Sequence, residues 1–210
     1  MNFLRKPFRY SYANATFILI GLNVLVFLAQ SLFPRVDAYL ALNAVNVIEH
    51  NAYWQFLTYM FAHGGISHLL VNMLGLFIFG SNCEQRMGTK EFLLYYLLTG
   101  ALAGVFSFLV YWMTGSYHVF LVGASGALFA VMLAYATFFP DSMIYIWGIL
   151  PVRAPILVLG YTAVEIWSTL FGFSSGVAHL THLAGFAFAY LYFLVRFGAN
   201  PWRSFFGNRW

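Results

Sequence analysis

Six apolar runs leave this chain little choice of fold. They fall at about residues 13–33, 66–82, 91–114, 120–139, 154–172 and 175–197. A helix needs about 20 apolar residues to cross a ~30 Å hydrocarbon layer, so each run reads as a transmembrane helix. The second is short, and the last two are parted only by GFSSG, residues 172–176. Of the 210 residues 62% are hydrophobic and 8% charged, whereas soluble domains carry roughly 25% charged residues. Such a globule could not wet its surface, which excludes a soluble enzyme. The ten-residue alternation of a membrane barrel is absent. The first run is longer than the apolar region of a signal peptide and has no small-residue cleavage site after it. The expectation is an all-α membrane protein, a six-transmembrane-helix bundle forming one domain over residues 1–210, with no soluble domain, repeat or low-complexity tail.

Orientation follows from the basic residues. Arg5, Lys6 and Arg9 precede the first run, Arg86 and Lys90 follow the second, Arg153 follows the fourth, and Arg196, Arg203 and Arg209 follow the sixth. If six helices alternate, these nine of ten Lys and Arg residues lie on one side and only Arg35 on the other. By the positive-inside rule that side is cytoplasmic, and both termini are there. The net charge of +4 is thereby explained by topology, and no nucleic-acid partner is called for. All six histidines, His50, His63, His68, His118, His179 and His182, fall on the external side. So does a long first loop, about 34–65, whose short apolar runs read as partly helical and interfacial. The one cysteine, Cys83, can form no internal disulfide and reads as a core thiol.

Polar side chains within a span are costly and face the bundle interior. Three groups stand out near the external helix ends. In FLVGASGALFA, 120–130, Ser125 sits between Gly123 and Gly126, a turn or two into the fourth helix and roughly 8–9 Å along its axis. Small residues alone fit close helix packing. In HLTHLAGFAFA, 179–189, His182 lies ~10 Å into the sixth helix, with Gly185 and Ala189 on its face. Two matching small faces would bring the fourth and sixth helices together at the depth of Ser125 and His182, where a neutral imidazole can take the serine proton and make a nucleophile. His179 lies on a neighbouring face and reads as an interfacial hydrogen-bonding residue. A His-x-x-His metal site would need further ligands, and no tight cluster supplies them. In HGGISHLLVN, 63–72, His68 and Asn72 share a helix face. They fit oxyanion donors and, equally, a polar pair joining helices. No carboxylate stands out as a third member: Asp37 and Glu49 are in the first loop, and Glu165 lies in the fifth helix without an assigned role. The expectation is a Ser-His dyad with no metal and no cofactor. His63, Ser67, His68, Asn72, Ser125, His179, Thr181 and His182 together would line a wet cavity.

With these residues in hand the chain resembles the rhomboid intramembrane serine proteases. Gly123-Ala124-Ser125-Gly126 is similar to that family's Gly-x-Ser-Gly motif, and His182-Leu183-Ala184-Gly185 to its His-x-x-Gly motif. His68 to Asn72 resembles its His-x-x-x-Asn element, and Glu84, Arg86 and Gly88 its Glu-x-Arg-x-Gly element. The motifs run in order from the first loop to the sixth helix. The resemblance implies a protease that cuts transmembrane substrates near the membrane surface. In it Ser125 is the nucleophile and His182 the general base. The Ser125 N–H, His68 and Asn72 form the oxyanion hole, and Phe129 lies against the histidine. It further implies that the fifth helix and the loop after it, FGFSSG, act as gate and cap, and that the protein is a bacterial inner-membrane protein. The chain departs from the family pattern at five positions. It has Trp54-Gln55 for the usual Trp-Arg, Ala184 and Ala189 for glycines in the last helix, and Ala130 and Leu133 for glycines in the fourth. None removes a reacting group. Two other classes compete: a non-catalytic relative that binds membrane helices, and a small transporter. A transporter would need a polar path across the bilayer, whereas the polar groups here collect at one end.

Overall fold

The computed structural model describes residues 5, 6, 8–33, 35–146, 148–172 and 176–207. Helix α1 (Ala15–Leu32) is followed by three short helices, α2 (Arg35–Leu40), α3 (Ala44–Glu49) and α4 (Gln55–Thr58), and a 3-10 turn, Tyr59–Phe61. Helix α5 (Ile66–Gly75) continues through a π-helical turn, Leu76–Gly80, into α6 (Ser81–Met87). Then come α7 (Thr89–Thr114), α8 (Ser125–Phe138), a hairpin of β1 (Met143–Ile146) and β2 (Leu150–Arg153), α9 (Ala154–Phe171) and α10 (Gly176–Tyr192). A second π-helical stretch, Phe193–Phe197, leads to α11 (Pro201–Phe205). Among the described residues five stretches are long and apolar enough to cross a membrane: Ala15–Leu32, Ile66–Met87, Thr89–Met113, Ala154–Phe171 and Ala178–Phe197. With α8 they form an all-α, multi-pass membrane bundle.

The fourth apolar run differs from expectation. Instead of spanning about 120–139 it folds as a helix of 14 residues, about 21 Å long, which is too short to cross ~30 Å of hydrocarbon alone. The reason is its position. Every residue from Gly126 to Ala134 is buried, and α7, α9 and α10 all pack on it, so its ends meet protein rather than lipid. The residues before it are not helical. Leu121 exchanges two backbone hydrogen bonds with Leu42, at 2.9 and 3.0 Å, and the Gly123 N–H donates to the Tyr59 carbonyl at 2.9 Å. Irregular backbone survives inside a bundle when protein satisfies it in this way. Ser125 is consequently the first residue of α8, not a turn or two within it. The hairpin is a second departure, since the apolar pattern marks no element between 139 and 154. Met143 pairs with Arg153 and Ile146 with Leu150 in antiparallel register.

The first loop is fastened by amides. Gln55 is buried, accepts from the Asn43 N–H at 3.2 Å and donates to the Ala38 and Tyr39 carbonyls at 3.1 and 3.2 Å. Trp54 Nε1 donates to the same Tyr39 carbonyl at 2.9 Å. Asn43 Nδ2 donates to the carbonyls of Tyr117 and Val119, at 3.0 and 3.1 Å. A neutral glutamine thus ties the loop together where the sequence departs from Trp-Arg, and the loop in turn holds the strand-like approach to Ser125.

At the opposite end Glu84 closes the start of α1. Its Oε1 accepts from the Ala15 N–H at 2.8 Å and from Thr89 Oγ1 at 2.6 Å, and its Oε2 accepts from the Thr16 N–H and Thr16 Oγ1, both at 2.9 Å. The first N–H groups of a helix have no intrahelical acceptor, and their partial positive charge favours a carboxylate. Asn14, the residue before the helix, makes no side-chain cap. Glu84→Ala would strand several buried donors at once and is expected to cost about 3 kcal/mol or more, read as a lowered unfolding free energy in mixed micelles. Nearby, Glu91 takes Arg196 in a two-toothed ion pair, Nε to Oε1 and Nη2 to Oε2 both at 2.8 Å, joining α7 to the end of the last span.

Candidate active site

Ser125 is set by what precedes it. Gly123 has φ +122°, a left-handed conformation that glycine alone adopts readily. A methyl group there would also stand 2.6 Å from Cε1 and 2.8 Å from Nε2 of His68. The turn therefore needs glycine twice over, for its dihedral and for the ring beside it. Ser125 Oγ is 3.7 Å from the same point, so the hydroxyl and the His68 imidazole flank one backbone position. The Ser125 N–H, at the start of α8, belongs to the group of helix-start donors with no intrahelical acceptor.

Two further glycines, Gly126 and Gly185, bring α10 against α8. A methyl on Gly185 would lie 2.1 Å from the Gly126 carbonyl oxygen, a separation that no side chain tolerates, so backbone meets backbone here. At that approach His182 Nε2 is 2.7 Å from Ser125 Oγ. The imidazole is stacked on Phe129, with centroids 4.3 Å apart and planes 11° from parallel. Tyr161 and Phe186 pack on the same phenyl ring, at 5.7 and 4.9 Å between centroids. Ser125 and His182 are half-buried.

The far side of His182 carries a residue that the sequence left without a role. His182 Nδ1 is 3.0 Å from Glu165 Oε1, and His179 Nδ1 is 2.5 Å from Glu165 Oε2. The expectation that no third ligand joins His179 and His182 fails here. Glu165 on α9 completes a group whose ligand atoms all lie within 4.8 Å of one another. Neighbouring ligands around a tetrahedral zinc with ~2.0 Å bonds stand about 3.3 Å apart. The nitrogen–oxygen distances here are shorter and match hydrogen bonds. The signal was a carboxylate inside a span. Nothing in the one-dimensional pattern fixes how α9 is rotated against α10.

Other expected residues sit differently. Asn72 Nδ2 donates to the His68 carbonyl at 2.8 Å, which leaves its second amide proton, and its Oδ1 is buried without a hydrogen-bond partner. Asn72 is buried, and His63, also buried, lines a cavity with Gln30, Asp37 and Val122 rather than one shared with Ser125. Thr181 is also buried and bonds Ser107 across α7 and α10, 2.6 Å between hydroxyl oxygens. His63 packs edge-on to His68 at 5.2 Å between centroids. Burial, reinforced by the neighbouring imidazole, pushes the pKa of His63 down to about 4, so it is neutral at pH 7. Much of the loop FGFSSG, expected to act as a cap, lies outside the described residues, at 173–175.

Residues 50–199 match the Rhomboid domain family. Three curated relatives bracket the similarity. Rhomboid-like protein 11, chloroplastic, of Arabidopsis thaliana is 31% identical over 196 residues, covering 86% of this chain and 64% of its own length. Rhomboid protease GlpG of Haemophilus influenzae is 29% identical over 181 residues, 86% of this chain and 89% of that protein. Rhomboid protease AarA of Providencia stuartii is 27% identical over 192 residues, 81% and 68% respectively. The chain thus spans a little under two thirds of the chloroplast relative and most of the length of GlpG.

Proposed function

The chain belongs to the rhomboid family, and from that premise we propose that it is an intramembrane serine protease in which Ser125 is the nucleophile and His182 the general base. One observation carries the reading: the 2.7 Å contact between Ser125 Oγ and His182 Nε2, made by two helices that meet backbone to backbone. As Oγ attacks a substrate carbonyl, the hydroxyl proton passes to Nε2. The same nitrogen returns it to the leaving amine and then activates water against the acyl-enzyme. The Ser125 N–H, the His68 ring and the free Asn72 amide proton are the donors for the oxyanion. Phe129 holds the imidazole plane.

The substrates are transmembrane proteins. Their helices must unwind at the cut, because a helical carbonyl is already hydrogen-bonded, so helix-weakening residues favour cleavage. Residues 1–210 act as one rhomboid-like membrane domain, with the bilayer against the exposed apolar faces of α1, α5 and α9. The one-sided basic residues support cytoplasmic termini and an active site toward the external, periplasmic face of a bacterial inner membrane. The reading is tested by incubating the purified protein in detergent with a fluorophosphonate and mapping the adduct. Labelling of Ser125 in the folded protein, abolished in His182→Ala, is the expected result. An inert serine leaves only a helix-binding relative.

A further inference from the structure

Glu165 is a carboxylate inside a span for which the proposed chemistry has so far found no use. Its carboxylate is buried, its two oxygens are each taken by a different imidazole of α10, and one of those imidazoles is the ring that contacts Ser125. We propose that Glu165 is a positioning residue for the reaction, the third member of a Ser125–His182–Glu165 relay. This rests on the protease reading above.

The argument is one of proton placement. An ionised carboxylate only accepts hydrogen bonds, so it draws the His182 proton onto Nδ1. Nε2 then carries a lone pair, directed at the Ser125 hydroxyl 2.7 Å away. The opposite tautomer would put a proton on Nε2 and leave nothing to accept from serine. When Ser125 Oγ bonds to the substrate carbonyl carbon, its proton moves to Nε2 and the ring becomes an imidazolium. The Glu165 charge, across a 3.0 Å hydrogen bond, stabilises that cation without taking the proton itself. As the carbon–nitrogen bond breaks, the Nε2 proton goes to the leaving amine and the ring returns to its starting tautomer. His179 has a different share: it occupies Oε2, which holds the carboxylate still and leaves Oε1 to His182. The imidazole of His182 is thereby fixed by a hydroxyl at one nitrogen, a carboxylate at the other and the Phe129 ring over its face. Among the described residues the ionisable groups of this array are His179 and His182 from α10 and Glu165 from α9, with His68 from α5 near enough for its charge to act on that of His182.

A purely structural role for Glu165, as a clasp between α9 and α10, makes a different prediction from a relay. Glu165→Gln keeps the size and one acceptor oxygen but removes the charge. A relay requires kcat on a transmembrane substrate to fall by about 10²- to 10⁴-fold, with KM within about threefold and an unchanged thermal midpoint. The fluorophosphonate labelling rate of Ser125 should fall in parallel. A folded Glu165→Gln that keeps kcat within about twofold overturns the inference. If the glutamine variant does not stay folded, Glu165→Asp and Glu165→Asn are compared, since they share one length and differ in charge: kcat at least about tenfold lower in the asparagine variant at constant KM supports the relay, and equal kcat in the two overturns it. Failure of the protease reading looks different, because the wild-type protein itself would then neither label nor cut.

Discussion

Ser125→Ala is expected to lower cleavage of a single-span substrate by about 10⁴- to 10⁶-fold, and His182→Ala by a similar factor. The two residues act as one unit, since the hydroxyl is a poor nucleophile without the ring and the ring has no proton to take without the hydroxyl. The double variant should therefore be scarcely worse than either single one, and any residual rate comes from oxyanion donors and substrate positioning. Neither side chain is a large packing element: Ser125 is half-buried at the first position of α8, and Phe129 still has Tyr161 and Phe186 against it when the imidazole is gone. The thermal midpoint in detergent should accordingly move little. Product appearance followed by mass spectrometry in proteoliposomes reads the rate, and retained cleavage by Ser125→Ala would remove the nucleophile from the scheme.

The second large effect is expected at a residue with no reacting group. Gly185→Ala adds a methyl 2.1 Å from the Gly126 carbonyl oxygen, where a carbon–oxygen contact of about 3.3–3.6 Å is the comfortable distance. Helices α8 and α10 must part by about 1 Å to relieve it. Strain of this kind costs about 1–3 kcal/mol. The same movement stretches the Ser125–His182 contact beyond hydrogen-bond range, and a displacement of that size costs about 10²-fold in rate. Both readouts should move together, in contrast to Ser125→Ala. A Gly185→Ala protein with wild-type cleavage would mean that the helices have another way to yield.

Apolar run length and one-sided basic residues made the helical bundle legible, because lipid imposes both directly on the sequence. The pairing of Ser125 with His182 was legible from small residues at matched helical spacing, and the family resemblance sharpened it. What stayed hidden shares a cause. Helix α8 is shorter than its apolar run and buried from Gly126 to Ala134, and an apolar pattern cannot tell a helix wrapped in protein from one wrapped in lipid. Glu165 had no assigned partner because its bonds to His179 and His182 depend on the rotation of α9 about its own axis, which composition does not encode. Gln55 looked like a loss beside the usual arginine. Its three backbone partners come from residues 12 to 17 positions away, a separation no local motif displays.

The carboxylate of Glu84 bonds an N–H that lies 69 positions earlier in the chain. The opening turn of α1 is thus completed by a side chain from the following span, so the two share one closure: neither the start of α1 nor Thr89 at the start of α7 is fully bonded until residue 84 is seated.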